Sequence, residues 1–117
     1  LVVDDEPNLL EMLVDFCDAI DVIAIPAANG AQALEKAAAE RPDAITVDMR
    51  MPDMSGLEVI AKLKAAPATQ GIPVVLCTAD GKLHEAEAKK LGAFDVLPKP
   101  VSRADLKKTL EACLGSL

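Results

Sequence analysis

Aromatic side chains are nearly missing from this chain of 117 residues: it has no Trp and no Tyr, and only Phe16 and Phe94 carry benzyl rings. Without stacking platforms, recognition of splayed RNA bases or single-stranded DNA loses its usual basis. Positive charge is short as well. Twelve Lys and Arg face nineteen Asp and Glu, for a formal net charge of −7, whereas a phosphate backbone calls for a basic footprint. Direct contact with nucleic acid is therefore not expected. No apolar run approaches the roughly 20 residues of a membrane span, and no basic-then-apolar leader precedes the first strand, so no membrane role is expected either. Cysteine is sparse and odd in number. Cys17, Cys77 and Cys113 form no CxxC pair and sit in apolar segments, the pattern of buried, reduced thiols in a cytoplasmic protein. Repeats and low-complexity linkers are absent. Leu1 already lies inside a β-prone run, so the chain is expected to be a fragment with a few residues missing upstream.

What is present is aliphatic bulk. Apolar residues make up 51% and charged ones 26%, a balance that favours one folded domain over disorder, taken here as residues 1–117. Five β-prone runs stand out: Leu1–Val3, Asp21–Pro26, Ala44–Val47, Ile72–Cys77 and Phe94–Leu97. Between and after them lie helical patterns at Pro7–Ile20, Ala31–Glu40, Leu57–Ala66, Lys82–Leu91 and Ser102–Leu114. In the first, Leu9, Leu10, Leu13, Val14 and Cys17 fall on one face. Pro42 disfavours helix at Arg41, Gly92 suits a C-cap, and Ser102 with Asp105 forms a relative of the capping box. The alternation βαβαβαβαβα predicts a doubly wound α/β fold, a five-stranded parallel sheet with helices on both faces.

In such a sheet, function gathers outside the carboxyl ends of the strands. Strand one ends in Asp4-Asp5, strand three in Asp48, strand four in Thr78 and strand five in Lys99, while strand two ends in inert Ala27-Ala28. Carboxylates brought close together repel one another and raise at least one pKa. A hard divalent cation relieves that repulsion, and Mg²⁺ suits a site with few carboxylates. Lys99 adds a compact positive charge and Thr78 a hydroxyl. The set suits an anionic phosphoryl group arriving at a carboxylate nucleophile, whose transfer needs positioning and charge neutralisation more than a protein base.

From Leu1 to the last helix, the chain resembles a response-regulator receiver domain of bacterial two-component signalling. The resemblance is carried by Val2-Val3-Asp4-Asp5-Glu6, by Asp48-Met49-Arg50-Met51-Pro52-Asp53-Met54-Ser55-Gly56, by Thr78-Ala79 and by Lys99-Pro100. It implies a flavodoxin-like (βα)5 sheet in the order 2-1-3-4-5 and a cis Lys99–Pro100 bond. It further implies that Asp48 is the phosphoacceptor, with Asp5 and Asp48 as direct Mg²⁺ ligands. Asp4 would lie close by or be linked through water, and the backbone carbonyl of Arg50 would complete the protein's share of the metal shell. Thr78 and Lys99 would contact the phosphoryl oxygens. The implied partners are a sensor histidine kinase or histidine phosphotransfer protein as donor, and an output domain or target protein as receiver of the signal. The domain would be a signalling phosphoacceptor that assists its own chemistry, and not an enzyme in the usual sense.

Other readings of single residues remain open at this level. Asp5 is also a fair N-cap for the first helix and Thr78 for the fourth; His84, beside Glu85 on a polar helix, reads as a solvated surface residue. An unphosphorylated protein-binding module of the same fold is the alternative. An aspartyl-phosphate hydrolase would want a second carboxylate where Arg50 stands, and an FMN site would be repelled by Asp-Asp-Glu. Two departures from the family stand out. Three residues before Lys99, where receivers usually carry Tyr or Phe, this chain has Val96. Arg50 and Asp80 are expected to pair across the mouth of the site and to restrict the water that hydrolyses the acyl phosphate.

Overall fold

A computed structural model describes residues 1–115 of the chain. Ser116 and Leu117, assigned to the same domain on sequence grounds, lie outside the described residues. The strands are β1 (Val2–Val3), β2 (Pro26–Ala27), β3 (Ile45–Asp48), β4 (Val74–Thr78) and β5 (Asp95–Pro98). The helices are α1 (Pro7–Ala19), α2 (Gly30–Glu40), α3 (Gly56–Ala65), α4 (Gly81–Lys90) and α5 (Arg103–Leu114). All strand pairs are parallel, in the order β2-β1-β3-β4-β5. This is the flavodoxin-like order that the resemblance implies.

Because side chains alternate across a strand, each central strand feeds two cores. Val3, Ile45, Val47, Val74 and Leu76 pack with Val59, Ile60 and Leu63 of α3 and the alanines of α2 and α4. Val2, Val75, Cys77 and Leu97 pack instead with Leu13 and Cys17 of α1 and Leu106 and Leu110 of α5. Sheet faces covered on both sides explain why β4 is apolar from Val74 to Cys77, up to the strand end. Helix ends follow local chemistry. Ser55 accepts from Glu58 N at 3.2 Å and Ser102 from Asp105 N at 3.0 Å, and Gly92 takes a positive φ of 106° just past α4, as a C-cap glycine does.

The main departure from expectation is β2, which comprises Pro26–Ala27 and not Asp21–Pro26. Asp21 takes a left-handed φ of 60° in the turn that leaves α1, which prevents an extended start there. Among the described residues, Ile25 alone of the segment before the strand hydrogen-bonds to β1, its carbonyl accepting from Val2 N at 2.9 Å. Ile23, at the open edge of the sheet, is 91% exposed.

Arg41 closes α2 in the left-handed region at φ 47°, its N–H donating to Ala37 O at 3.1 Å. That conformation costs a residue with a Cβ about 1–2 kcal/mol, against about 0.5–1 kcal/mol for the chain entropy of a glycine. Arg41→Gly should therefore stabilise the domain by roughly 0.5–1 kcal/mol and raise Tm by about 3 °C. Thermal unfolding followed by far-UV circular dichroism checks this, and an equal or lower Tm refutes it.

Candidate functional site

The site lies where the strand order reverses, at the carboxyl ends of β1 and β3, with β4 and β5 alongside. Register delivers its parts. Asp48 is opposite Cys77 on β4, and Thr78 is opposite Pro98 on β5. Beyond the ladders, Asp4 N donates to Ala27 O at 3.1 Å, Met49 N to Cys77 O at 3.0 Å and Lys99 N to Thr78 O at 2.9 Å. The Lys99–Pro100 peptide is cis, as the resemblance implies.

One carboxylate oxygen from each of Asp4, Asp5 and Asp48 lies within 4.8 Å of the others. Asp4 and Asp48 are buried and Asp5 is exposed. Lys99 Nζ sits between the two buried ones, 2.8 Å from Asp48 Oδ1 and 3.2 Å from Asp4 Oδ2. The other oxygen of Asp4 accepts from Glu6 N at 3.0 Å, so this carboxylate fixes both the lysine and the turn into α1. Thr78 is buried, its Oγ1 accepting from Asp80 N at 3.2 Å while its own O–H remains available as a donor. Together with Glu6, Arg50 and His84 these residues border an open cleft of about 530 Å³.

Electrostatics in the cleft are unbalanced. Burial pushes the Asp48 carboxyl above the ordinary carboxylate range; Lys99 opposes this without offsetting it, and Asp4 and a hydrogen bond with Asp5 add to the rise. Burial also works against the charge on Lys99, but its hydrogen bond to Asp48 and the charges of Asp4 and Asp48 prevail, so its pKa is held above that of an ordinary lysine. When all are ionised, three carboxylates against one ammonium leave two negative charges in one cleft. The donor set is all oxygen, partly solvent-facing and short by one divalent charge, which fits Mg²⁺ well. Cys77, directly behind, is not part of this chemistry: burial drives its thiol up to about 12.

Three readings are corrected. Arg50 and Asp80 both border the cleft, but no ion pair joins them among the described residues. Asp80 is instead the N-cap of α4, its Oδ1 accepting from Leu83 N at 3.2 Å, and a side chain engaged by its own helix is not free to reach across the mouth. Thr78, two residues earlier, is therefore not that cap. Asp5 does not cap α1 either: the N-cap is Glu6, without a side-chain hydrogen bond, which leaves the Asp5 carboxylate turned to the cluster. Three residues escaped the sequence reading. Asp53, from the β3–α3 loop, accepts from Gly30 N at 3.0 Å and Ala31 N at 2.8 Å, across a sequence gap with no local signal. Asn29 and Gln32 form a reciprocal cap on α2, Gln32 N donating to Asn29 Oδ1 at 2.8 Å and Ala28 N to Gln32 Oε1 at 2.9 Å. Their spacing in Asn-Gly-Ala-Gln is a capping-box signal that was there to be used.

Gly56 explains how Asp48 is held. A Cβ on Gly56 would stand 2.5 Å from Asp48 O and 2.7 Å from Leu76 Cδ1, while Gly56 N donates to Met49 O at 2.8 Å. The start of α3 thus presses on the peptide that carries the central aspartate, and only glycine permits it.

The family described as the response regulator receiver domain matches residues 1–111. Protein PilH of Pseudomonas aeruginosa is 32% identical over 116 residues, covering 98% of this chain and 96% of that protein. Sporulation initiation phosphotransferase F of Bacillus subtilis is 32% identical over 115 residues, covering 97% of this chain and 91% of that protein. The solved receiver domain of a sensor histidine kinase from Pseudomonas aeruginosa PAO1 matches with a TM-score of 0.89 at 27% identity, over 98% of this chain and 95% of that one. That structure holds a magnesium ion coordinated in its active-site cleft. With its strand order, its acidic cleft and a family match over nearly its whole length, the chain belongs to the receiver domains of two-component response regulators.

Proposed function

We propose that Asp48 accepts a phosphoryl group from a sensor histidine kinase or histidine phosphotransfer protein, and that residues 1–117 form one receiver domain acting in the cytoplasm. The observation that carries this reading is Lys99 Nζ bridging the buried carboxylates of Asp4 and Asp48 beside the exposed Asp5. Mg²⁺ would be held by Asp5, Asp48 and the backbone carbonyl of Arg50, with Asp4 adjacent. When bound, the ion supplies positive charge to the phosphoryl oxygens and relieves the carboxylate repulsion. In the forward step an Asp48 carboxylate oxygen attacks phosphorus, the P–N bond of phosphohistidine breaks, and the imidazole leaves with its bonding pair. Lys99 and the Thr78 hydroxyl neutralise the phosphoryl oxygens, and Asp4 positions Lys99. Hydrolysis reverses the switch: water attacks phosphorus, the P–O bond to Asp48 breaks, and inorganic phosphate departs with the carboxylate restored. Three free cysteines support a reducing compartment, and no helix of the described residues is long and apolar enough to cross a membrane. The signal passes to an output domain or target protein.

Incubation with acetyl phosphate and Mg²⁺ should add one phosphoryl group, about 80 Da by intact mass. The gain should vanish in Asp48→Ala and in EDTA. No gain in the native protein, or an undiminished one in Asp48→Ala, refutes the assignment.

Gly56→Ala should slow that phosphorylation by about tenfold or more, because displacing the nucleophile by a fraction of an ångström costs reactivity steeply. Circular dichroism establishes that the variant is folded; a folded variant phosphorylated at the native rate counts against the packing role of Gly56.

Val96 has no ring to reorient when Thr78 engages a phosphoryl group. Beryllofluoride should therefore shift the amide resonances of Thr78 and Lys99 strongly and those around Val96 only slightly. A large, localised response at Val96 overturns this expectation.

A further inference from the structure

The loop from Met49 to Ser55 carries Arg50 to the border of the cleft, so its shape decides where the Arg50 carbonyl, proposed above as a metal ligand, points. Its base is closed by two main-chain hydrogen bonds, Met49 N to Cys77 O at 3.0 Å and Gly56 N to Met49 O at 2.8 Å. Its outer part, residues 50–54, makes hydrogen bonds to another element at only one place among the described residues, the Asp53 carboxylate on Gly30 N and Ala31 N. These are charge-assisted bonds, shorter and stronger than neutral ones.

The attachment is built from both sides. A helix leaves its first N–H groups without internal partners. In α2, Gln32 N donates to Asn29 Oδ1 and Ala33 N to Asn29 O, so its own cap serves two donors and leaves Gly30 N and Ala31 N open. The two oxygens of Asp53 take those two, one each. Next to it, Met54 lies over Gly30 so closely that a Cβ there would stand 2.2 Å from Met54 Cγ. The amide bonds hold the Asp53 carboxyl below the ordinary carboxylate range, as N–H donors aimed at a carboxylate do.

We propose that Asp53 is a positioning residue for the metal site: by clamping the β3–α3 loop to the first turn of α2, it presents the Arg50 carbonyl to the acidic cleft and couples occupancy of the cleft to α2. This rests on the Mg²⁺ reading of the cleft given above. Asp53 touches neither the ion nor the phosphoryl group; it acts through the loop. Linkage requires reciprocity: if the clamp strengthens Mg²⁺ binding, Mg²⁺ strengthens the clamp. The first turn of α2 then senses the state of a site to which it contributes no ligand.

The test is Mg²⁺ titration by calorimetry, joined to amide hydrogen exchange at Gly30 and Ala31. Asp53→Ala should raise the Mg²⁺ Kd by about three- to tenfold, below the roughly 10–100-fold of supports bonded directly to a metal ligand because Asp53 acts through the loop, and Asp53→Asn, which keeps one acceptor, by less. Gly30→Ala breaks the contact from the other side without a change of charge and should match Asp53→Ala; thermal unfolding verifies that each variant is folded. In the native protein, Mg²⁺ should slow exchange at Gly30 and Ala31, and in Asp53→Ala it should not. Native binding with all variants unchanged overturns the clamp alone. Equal losses in Asp53→Ala and Asp53→Asn with none in Gly30→Ala assign the effect to bulk charge and overturn it too. A native protein that binds no Mg²⁺ overturns the metal reading and the clamp with it.

Discussion

Repulsion among Asp4, Asp5 and Asp48 is the constraint on which the rest of the domain depends. Two of these carboxylates are buried, and burying charge without compensation is costly. The compensation comes from Lys99, 95 residues beyond Asp4 in the chain. That lysine reaches the cleft only when β5 has docked on β4, through the ladder and through Lys99 N on Thr78 O. The acidic cleft is therefore tolerable only in the completed sheet, and the lysine satisfies it in part. What it leaves is a deficit of positive charge at the place where a divalent ion and a phosphoryl group would bring their own charges into balance.

The fold was legible in the sequence because its signals are local and repeated. Apolar runs of strand length alternate with helical faces, and the helix caps at Ser102 and Gly92 stand where residue type alone puts them. The strand-end chemistry was legible for the same reason: in a parallel sheet every strand points the same way, so residues that end successive strands share one rim. The short β2 was less legible. An edge strand with one neighbour has few ladder bonds to extend it, and the left-handed Asp21 delays its start.

Contacts between distant segments were not legible. Nothing near Asp53 announces that its carboxylate serves the amides of Gly30 and Ala31, because that pairing exists only once α2 and α3 lie side by side. Asp80 illustrates the opposite error. Its expected partner Arg50 is a long-range choice, whereas its actual partner Leu83 N is three residues away. For a short acidic side chain at a helix start, a local amide is nearly free in entropy, while an exposed pair with arginine must order a long side chain for little gain.

The two sides of the cleft are consequently held in different ways. On the Arg50 side, the loop is closed at its base and clamped at its apex to a neighbouring helix, so its geometry is set before anything binds. On the Thr78 side, a short relay runs outward: Asp80 N donates to Thr78 Oγ1, and Asp80 Oδ1 accepts from Leu83 N in the first turn of α4. A Thr78 hydroxyl drawn toward a phosphoryl oxygen must change its relation to Asp80 N, and through that residue to the cap of α4. Val96 lies beside the same turn, where a Cβ on Gly81 would stand 3.8 Å from Val96 Cγ1. Valine has no ring to reorient there, whereas the hydrogen bonds through Asp80 connect the Thr78 hydroxyl to the first turn of α4.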